Sequence, residues 1–409
     1  MPERLSILLI SGEYPPQIGG VGDYTQQLGR ALCARNHSVR VLTTGAAGAD
    51  SAPDEPPTLR IGPDWGWRTQ QAVVRAVAQL APDIIHIQYQ TGAYGMHPAI
   101  NLLPWRLRRS PRRPALVVTA HDLRLPYLLP KADRLRGWVT TRLLADADAL
   151  IVTNAADAAA LRGAAPASRE LYRPPHALTT PLAIIPIGSN IAPAPPPDYD
   201  RAVWRRRLGL GSDATLIGYF GLLSRTKGVL ELLAALAQLR PAERYRLLII
   251  GGAAPQPDDQ RYAAEVQRFI AAQELSERVQ ITGPCAPAEV SAHLLAADLV
   301  ALPFADGASY RRGSLLAALA HGRPTITTAP DEPLDPPLID GRHALLLADP
   351  APERWLAAIE RMAADPALQT RLSAGARELA ASFAWPVIAA QHETVYHTVQ
   401  EAVAKKAHA

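Results

Sequence analysis

The sequence predicts an α/β protein built as two tandem Rossmann-like domains. Two observations carry this. Short, nearly continuous apolar runs alternate with helix-patterned segments along 409 residues, the pattern of parallel strands covered on both faces. The alternation breaks at the proline-rich "APAPPPDYD" (192–200) and then restarts, as an interdomain linker would make it do. A composition of 48% hydrophobic and 20% charged residues fits a globular chain.

Strands are expected at 5–11, 37–44, 58–62, 83–89, 115–120, 149–154 and 182–187, with helical patterns between most of them. One of these helices, "YTQQLGRAL", opens near Asp23. After the linker the strands are 214–221, 245–252, 279–283, 299–304, 324–328 and 344–348, and the helices 229–239, 258–275 and 288–297, with a helical tail from 351. The expected domains are 1–190, a linker at 191–200, 201–384, and a last helix at 385–409. Ligands of open α/β sheets bind beyond the carboxyl ends of the strands. A cleft between two such domains is therefore the expected site.

Several classes are disfavoured. No run of ~18 apolar residues is present to span a bilayer, and the N-terminal apolar run is too short for a secretory leader. Cys33 and Cys285 are the only cysteines. They form no disulfide framework or thiolate metal site, which fits a reducing cytoplasm. The net charge is +4, and no phosphate-tracking aromatic pattern points to nucleic acid. One basic cluster, "WRLRRSPRR" (105–113), reads as a solvated loop or as a contact with an anionic acceptor or lipid surface. Its arginines are Arg106, Arg108, Arg109, Arg112 and Arg113.

Three segments suggest anion binding. "GEYPPQIGGVGDY" (12–24) joins a strand to a helix through glycines, and such turns cradle phosphate. It is not a dinucleotide fingerprint: Thr25 stands where the third glycine belongs, and the second strand ends without an acidic residue. A P-loop is excluded because no GK[ST] follows. In the second domain "FGLLSRTKG" sets Arg225 and Lys227 just ahead of a helix, and Lys227 is the only lysine between 132 and 404. Two cations there would bind a diphosphate. Third, Arg311, Arg312, Gly313 and Ser314 lead into a short helix, converging guanidiniums, amides and a hydroxyl.

"YPPQIGGVGDYTQQLGRAL", "TAHD", "IPIG", "FGLLSRTKGVLELLAAL", "ITGPCAPAEVSAHLLAADLVALPF", "LLAALAHGRPTITT" and "FAWPVIAAQHETVY" occur in this order. Together they resemble the family-4 (group 1) glycosyltransferases of the GT-B fold over nearly the whole chain. The resemblance implies two domains facing across a cleft, with the last helix crossing back to the first. It implies a nucleoside-diphosphate sugar as co-substrate, no cofactor and no metal. It also implies transfer with retention to an acceptor held by the first domain. By that resemblance, Gly19 and Gly20 let amides approach the donor diphosphate, His121 points at the reacting sugar with Asp122 beside it, and Lys227 neutralises the leaving group. Arg225 is expected to act with Lys227 in catalysis, in place of the family's usual arginine, which is Leu222 here. Read from the residues, Arg311, Arg312, Gly313 and Ser314 are expected to bind the donor together with Ser309 and Asp122.

The sequence departs from the family at three positions. The usual arginine after the glycine is Leu222, and the usual paired glutamates fall on Ser309 and Ala317. An alternative therefore stays open: a non-catalytic nucleotide-binding relative. A nucleotide-sugar epimerase on the same fold is a third reading. The "DAD" at 146–148 imitates a metal motif but sits at a helix end, and the histidines lack ligand spacing.

Overall fold

In the computed structural model of the protein, the strands lie where the apolar runs place them. The structure describes residues 4–17, 19–45, 55–109, 113–123, 133–164, 172, 174, 176–253 and 256–408. In chain order the first elements are β1 (Ser6–Ser11), α1 (Gly20–Ala34), β2 (Ser38–Thr43), β3 (Thr58–Arg60), α2 (Trp67–Leu80), β4 (Ile84–Tyr89), α3 (Leu103–Leu107), β5 (Ala115–Ala120), α4 (Asp133–Ala145), β6 (Ala149–Val152), α5 (Ala155–Leu161) and β7 (Leu182–Ile184). Then follow α6 (Arg201–Arg207), β8 (Thr215–Phe220), α7 (Val229–Gln238), β9 (Tyr245–Ile250), α8 (Pro257–Ala272), β10 (Val279–Ile281), α9 (Pro287–Ala296), β11 (Leu299–Leu302), α10 (Gly313–Ala320), β12 (Thr325–Thr328) and β13 (Leu345–Leu347). The chain closes with α11 (Pro352–Ala364), α12 (Pro366–Ala380) and α13 (Trp385–His408).

The chain divides into two units: Met1–Gly188 with Trp385–Ala409, and Ser189–Ala384. The first holds a parallel sheet in the order β3-β2-β1-β4-β5-β6-β7. Strand alternation splits its side chains between two apolar layers. Leu8, Ile10, Ile85, Ile87, Leu116 and Val118 pack with Val73 and Val77 of α2 on one face. Ile7, Leu9, Ile84 and Val117 meet Leu28 and Leu32 of α1 and Ile388 and Tyr396 of α13 on the other. The last helix thus returns to the first unit and completes one face of its sheet.

The second unit has a parallel sheet in the order β10-β9-β8-β11-β12-β13. Here Ile217, Ile249, Leu299 and Ile326 pack against Leu232 and Leu236 of α7 and Trp355 and Ile359 of α11. Strand order reverses between β8 and β11, which pair directly. The loops after those two strands therefore open beside each other at the switch point, where such sheets bind ligands.

The start of the first helix lies ahead of expectation. α1 begins at Gly20, not near Asp23. The reason is a carboxylate from the preceding loop: Glu13 Oε1 accepts from Val21 N at 2.9 Å and from Gly22 N at 3.3 Å. This satisfies two amides that have no acceptor inside the helix, so the glycines are wound into the first turn. A Cβ at Gly19 would overlap the Glu13 carboxylate, which is why the residue ahead of the helix has no side chain. Glu13→Ala should lower stability by about 1–2 kcal/mol. Urea unfolding checks this, and a change below about 0.5 kcal/mol would remove the capping role.

Candidate active site

The second unit brings Lys227 and Arg312 together at the switch point. After β8 the chain passes Gly221 and a 3₁₀ turn at Arg225–Lys227. Gly228 then ends the turn at φ 61°, where an added Cβ would collide with the Pro303 carbonyl of the neighbouring loop. That close approach seats Lys227 against the loop after β11. Its Nζ lies 5.6 Å from the centroid of the Phe304 ring, and the Arg312 guanidinium lies 4.4 Å from the same ring. Arg312 also pairs with Asp306. Burial and the neighbouring Arg312 charge bring Lys227 down to about 8, with Asp306 acting against them. Among the described residues no carboxylate lies within ion-pair distance of Nζ.

Ser314 stands in the first turn of α10, only 5% exposed, and its hydroxyl has no hydrogen-bond partner among the described residues. A Cβ at Gly221 would lie 3.3 Å from Lys227 Nζ and 3.9 Å from Ser314 Cβ, so the two loops and the helix start meet around one point. Two cations, one carboxylate, an unpaired hydroxyl and the positive end of a helix leave an excess of positive potential there.

Not every expected residue joins this cluster. Arg225 pairs with Glu265 of α8 at 2.7 Å and lies over Tyr262, with its side chain 72% exposed. Residues two apart in a 3₁₀ turn point to different sides, so Arg225 and Lys227 diverge. Ser309 accepts from the Arg311 amide at 3.3 Å, and the Arg311 side chain is exposed. Leu222 is exposed and Ala317 is fully buried.

In the first unit His121 follows β5 directly. Its Nε2 is 2.9 Å from Gln88 Oε1, its ring meets Tyr24 edge-on at 4.6 Å, and its amide donates to the Tyr89 carbonyl. Asp122 is buried beside it. Gly19 and Gly20 flank the capped start of α1, where Glu13 stands. Burial and the nearby Glu13 charge raise Asp23 above the ordinary carboxylate range.

Asp146 and Asp148 hold no metal geometry: they pair with Arg142 and Arg113. Among the described residues no group of His, Cys, Asp and Glu could hold a metal ion, and no helix is long and apolar enough to cross a membrane. Of the basic cluster, Arg106 donates to Gln70, Arg108 faces Asp146 and Asp148, and Arg109 stacks on Trp105 at 3.6 Å. Arg112 lies outside the described residues.

Two family models match in succession: a glycosyl transferase 4-like domain over residues 19–176 and glycosyl transferases group 1 over 214–365. The chain belongs to the group 1 glycosyltransferases. A D-inositol 3-phosphate glycosyltransferase of Kineococcus radiotolerans is 30% identical over 55% of this chain, and the match spans about half of that relative's length, 54%. A glycogen synthase of Mycobacterium tuberculosis is 28% identical over 96% of this chain and 94% of its own. Among solved structures, a sucrose-phosphate synthase from Thermosynechococcus elongatus superimposes with a TM-score of 0.73 at 25% identity, covering 98% of this chain and 100% of its own. The fold of this glycosyltransferase is accordingly GT-B.

Four residues around these sites escaped the reading of the sequence: Glu13, Gln88, Tyr24 and Phe304. Gln88 did leave a signal. In the apolar run "DIIHIQY" it repeats the polar character of His86 two positions on, and period two puts both on one face.

Proposed function

We propose that the chain moves a sugar from a nucleoside-diphosphate sugar to an acceptor, with retention and without a metal, and that the second unit holds the donor diphosphate. One observation carries this reading: among the described residues, Lys227 and Arg312 flank Phe304 with only Asp306 to balance them, beside a Ser314 hydroxyl that has no partner there. The start of α1 is a poorer diphosphate site, because Glu13 already brings a negative charge to it. As the sugar leaves, charge grows on the diphosphate, and a preorganised ammonium stabilises that charge more than the ground state. His121 would act at the reacting sugar, with Asp122 beside it. The acceptor is unidentified. Arg109 on the exposed Trp105 is the part of the basic cluster suited to an anionic one or to a lipid surface.

A second reading is favoured by Ala317, which is buried and carries no group to hold a ribose. It is a non-catalytic nucleotide-binding relative. Calorimetry with UDP, GDP, ADP and TDP in the presence of EDTA, followed by donor turnover, decides the matter. Binding of one nucleotide and transfer from its sugar are expected. Binding without any transfer would favour the second reading, and no binding would overturn the diphosphate site itself.

A further inference from the structure

His121 is tied into a chain of buried polar groups that ends on the last helix. Its Nε2 faces Gln88 Oε1 at 2.9 Å. An amide oxygen only accepts, so Nε2 carries a proton and donates it. Gln88 is fully buried on β4, and its amide nitrogen lies against the equally buried His86 ring, 3.1 Å from Nδ1 and 3.2 Å from Nε2. His86 in turn bonds Thr119 Oγ1 of β5 through Nε2 and the Tyr396 hydroxyl of α13 through Nδ1, both at 2.7 Å. A second thread runs beside the first. Tyr24 of α1 meets the His121 ring edge-on at 4.6 Å, and its hydroxyl lies 3.2 Å from His392 Nε2. His392 is anchored by its own Nδ1 to the Ile388 carbonyl at 2.8 Å. Both threads thus reach α13, at residues 392 and 396, one turn apart on the same face.

Buried polar side chains at a helix–sheet interface cost free energy unless bonded. Beside these groups the interface holds the apolar Ile388, Ala389 and Val399, and the buried Glu393 of α13 is paired with Arg35 and His37. Packing alone therefore does not call for two histidines, a glutamine and two tyrosines. We infer that Gln88, His86 and Tyr396, together with Tyr24 and His392, are positioning residues that fix the ring orientation and the Nε2–H tautomer of His121. Desolvation holds His86 well below its ordinary range and His392 down to about 4, and keeps Tyr24 and Tyr396 protonated. The network is then uncharged near neutral pH, and its effect on His121 is one of direction. The catalytic consequence rests on the proposed role of His121; the orientation itself does not.

Two readouts separate these. ¹⁵N NMR of the full chain, with His121 assigned by its loss in His121→Ala, reports the tautomer without any substrate. Gln88→Leu should mix the two tautomers, Gln88→Glu should keep Nε2–H because it restores an acceptor, and Tyr396→Phe should broaden the His121 resonance while leaving the fold intact. In turnover, Gln88→Leu and Tyr396→Phe should lower kcat roughly tenfold with KM changed less than about twofold. An unaltered His121 tautomer and line shape in both Gln88→Leu and Tyr396→Phe would overturn the inference, whatever the activity. If Gln88→Leu fails to fold, Tyr396→Phe alone decides, since it removes one hydroxyl and keeps the buried ring. A tautomer that moves with Gln88 while His121→Ala stays fully active would support the positioning network and overturn the catalytic reading of His121 instead.

Discussion

Lys227→Ala should lower kcat by about 10²–10³-fold and leave the protein folded. The ammonium lies in the loop after β8, beside the Phe304 ring and opposite Arg312, and forms no ion pair among the described residues. Its removal therefore breaks no structural contact of that kind. The pH dependence gives an independent check. Burial and Arg312 depress Lys227 from 10.5 to about 8. The folded, ligand-free protein thus binds this proton less tightly than the unfolded chain does. The group's contribution to stability is unfavourable below about 8 and is relieved as pH rises from there towards 10.5. Anion binding has the opposite sign, because it requires the charged form. Nucleotide affinity should be full below about pH 8 and should fall above it, with proton uptake on binding in that window. Calorimetry in buffers of different ionisation enthalpy measures this uptake, and Lys227→Ala should abolish it. Wild-type turnover by the variant, or an affinity flat from pH 7 to 9.5 in the parent, would remove Lys227 from the site.

The sheets were legible because parallel strands buried on both faces write themselves as short apolar runs. Strand positions followed, and so did the return of α13, which rests on a resemblance rather than on periodicity. What local pattern could not show were contacts between segments distant in the chain. The glycines at 19 and 20 announced a turn, yet the group that starts α1 is the Glu13 carboxylate reaching back from the loop. Arg225 and Lys227 look equivalent in "SRTKG", but a 3₁₀ turn sends one to Glu265 and the other to Phe304. His86 and Gln88 are polar positions in the apolar run of a strand. They are hydrogen-bonded to groups on β5, α13 and the loop after β5, and only the folded chain brings those together. The departures at Leu222 and Ala317 were visible, and the structure supplies their surroundings: one exposed, the other sealed in α10.

Arg312→Ala should weaken nucleotide binding about 10–100-fold, the range for the loss of one hydrogen bond to a charged group. What the substitution leaves behind acts in the same direction. Arg312 now pairs with Asp306 and repels Lys227. Without it, one carboxylate faces one ammonium, and the net positive charge that attracts a diphosphate is cancelled. Lys227 should at the same time rise from about 8 towards its ordinary value, because a like charge is gone and Asp306 remains. The variant would then bind weakly, but its residual affinity would hold to a higher pH than that of the parent. Arg312→Lys should recover the charge and part of the affinity, short of what a two-pronged guanidinium gives. Arg225→Ala is the matched control. It removes an arginine two residues from Lys227, but one that is 72% exposed and paired with Glu265, so affinity should change less than about twofold. Titrating all three variants with the nucleotide that binds the parent decides the assignment. A large loss at Arg225 with none at Arg312 would move the diphosphate site to the face of α8. Equal small effects at both would leave Lys227, Ser314 and the start of α10 to hold the anion without either guanidinium.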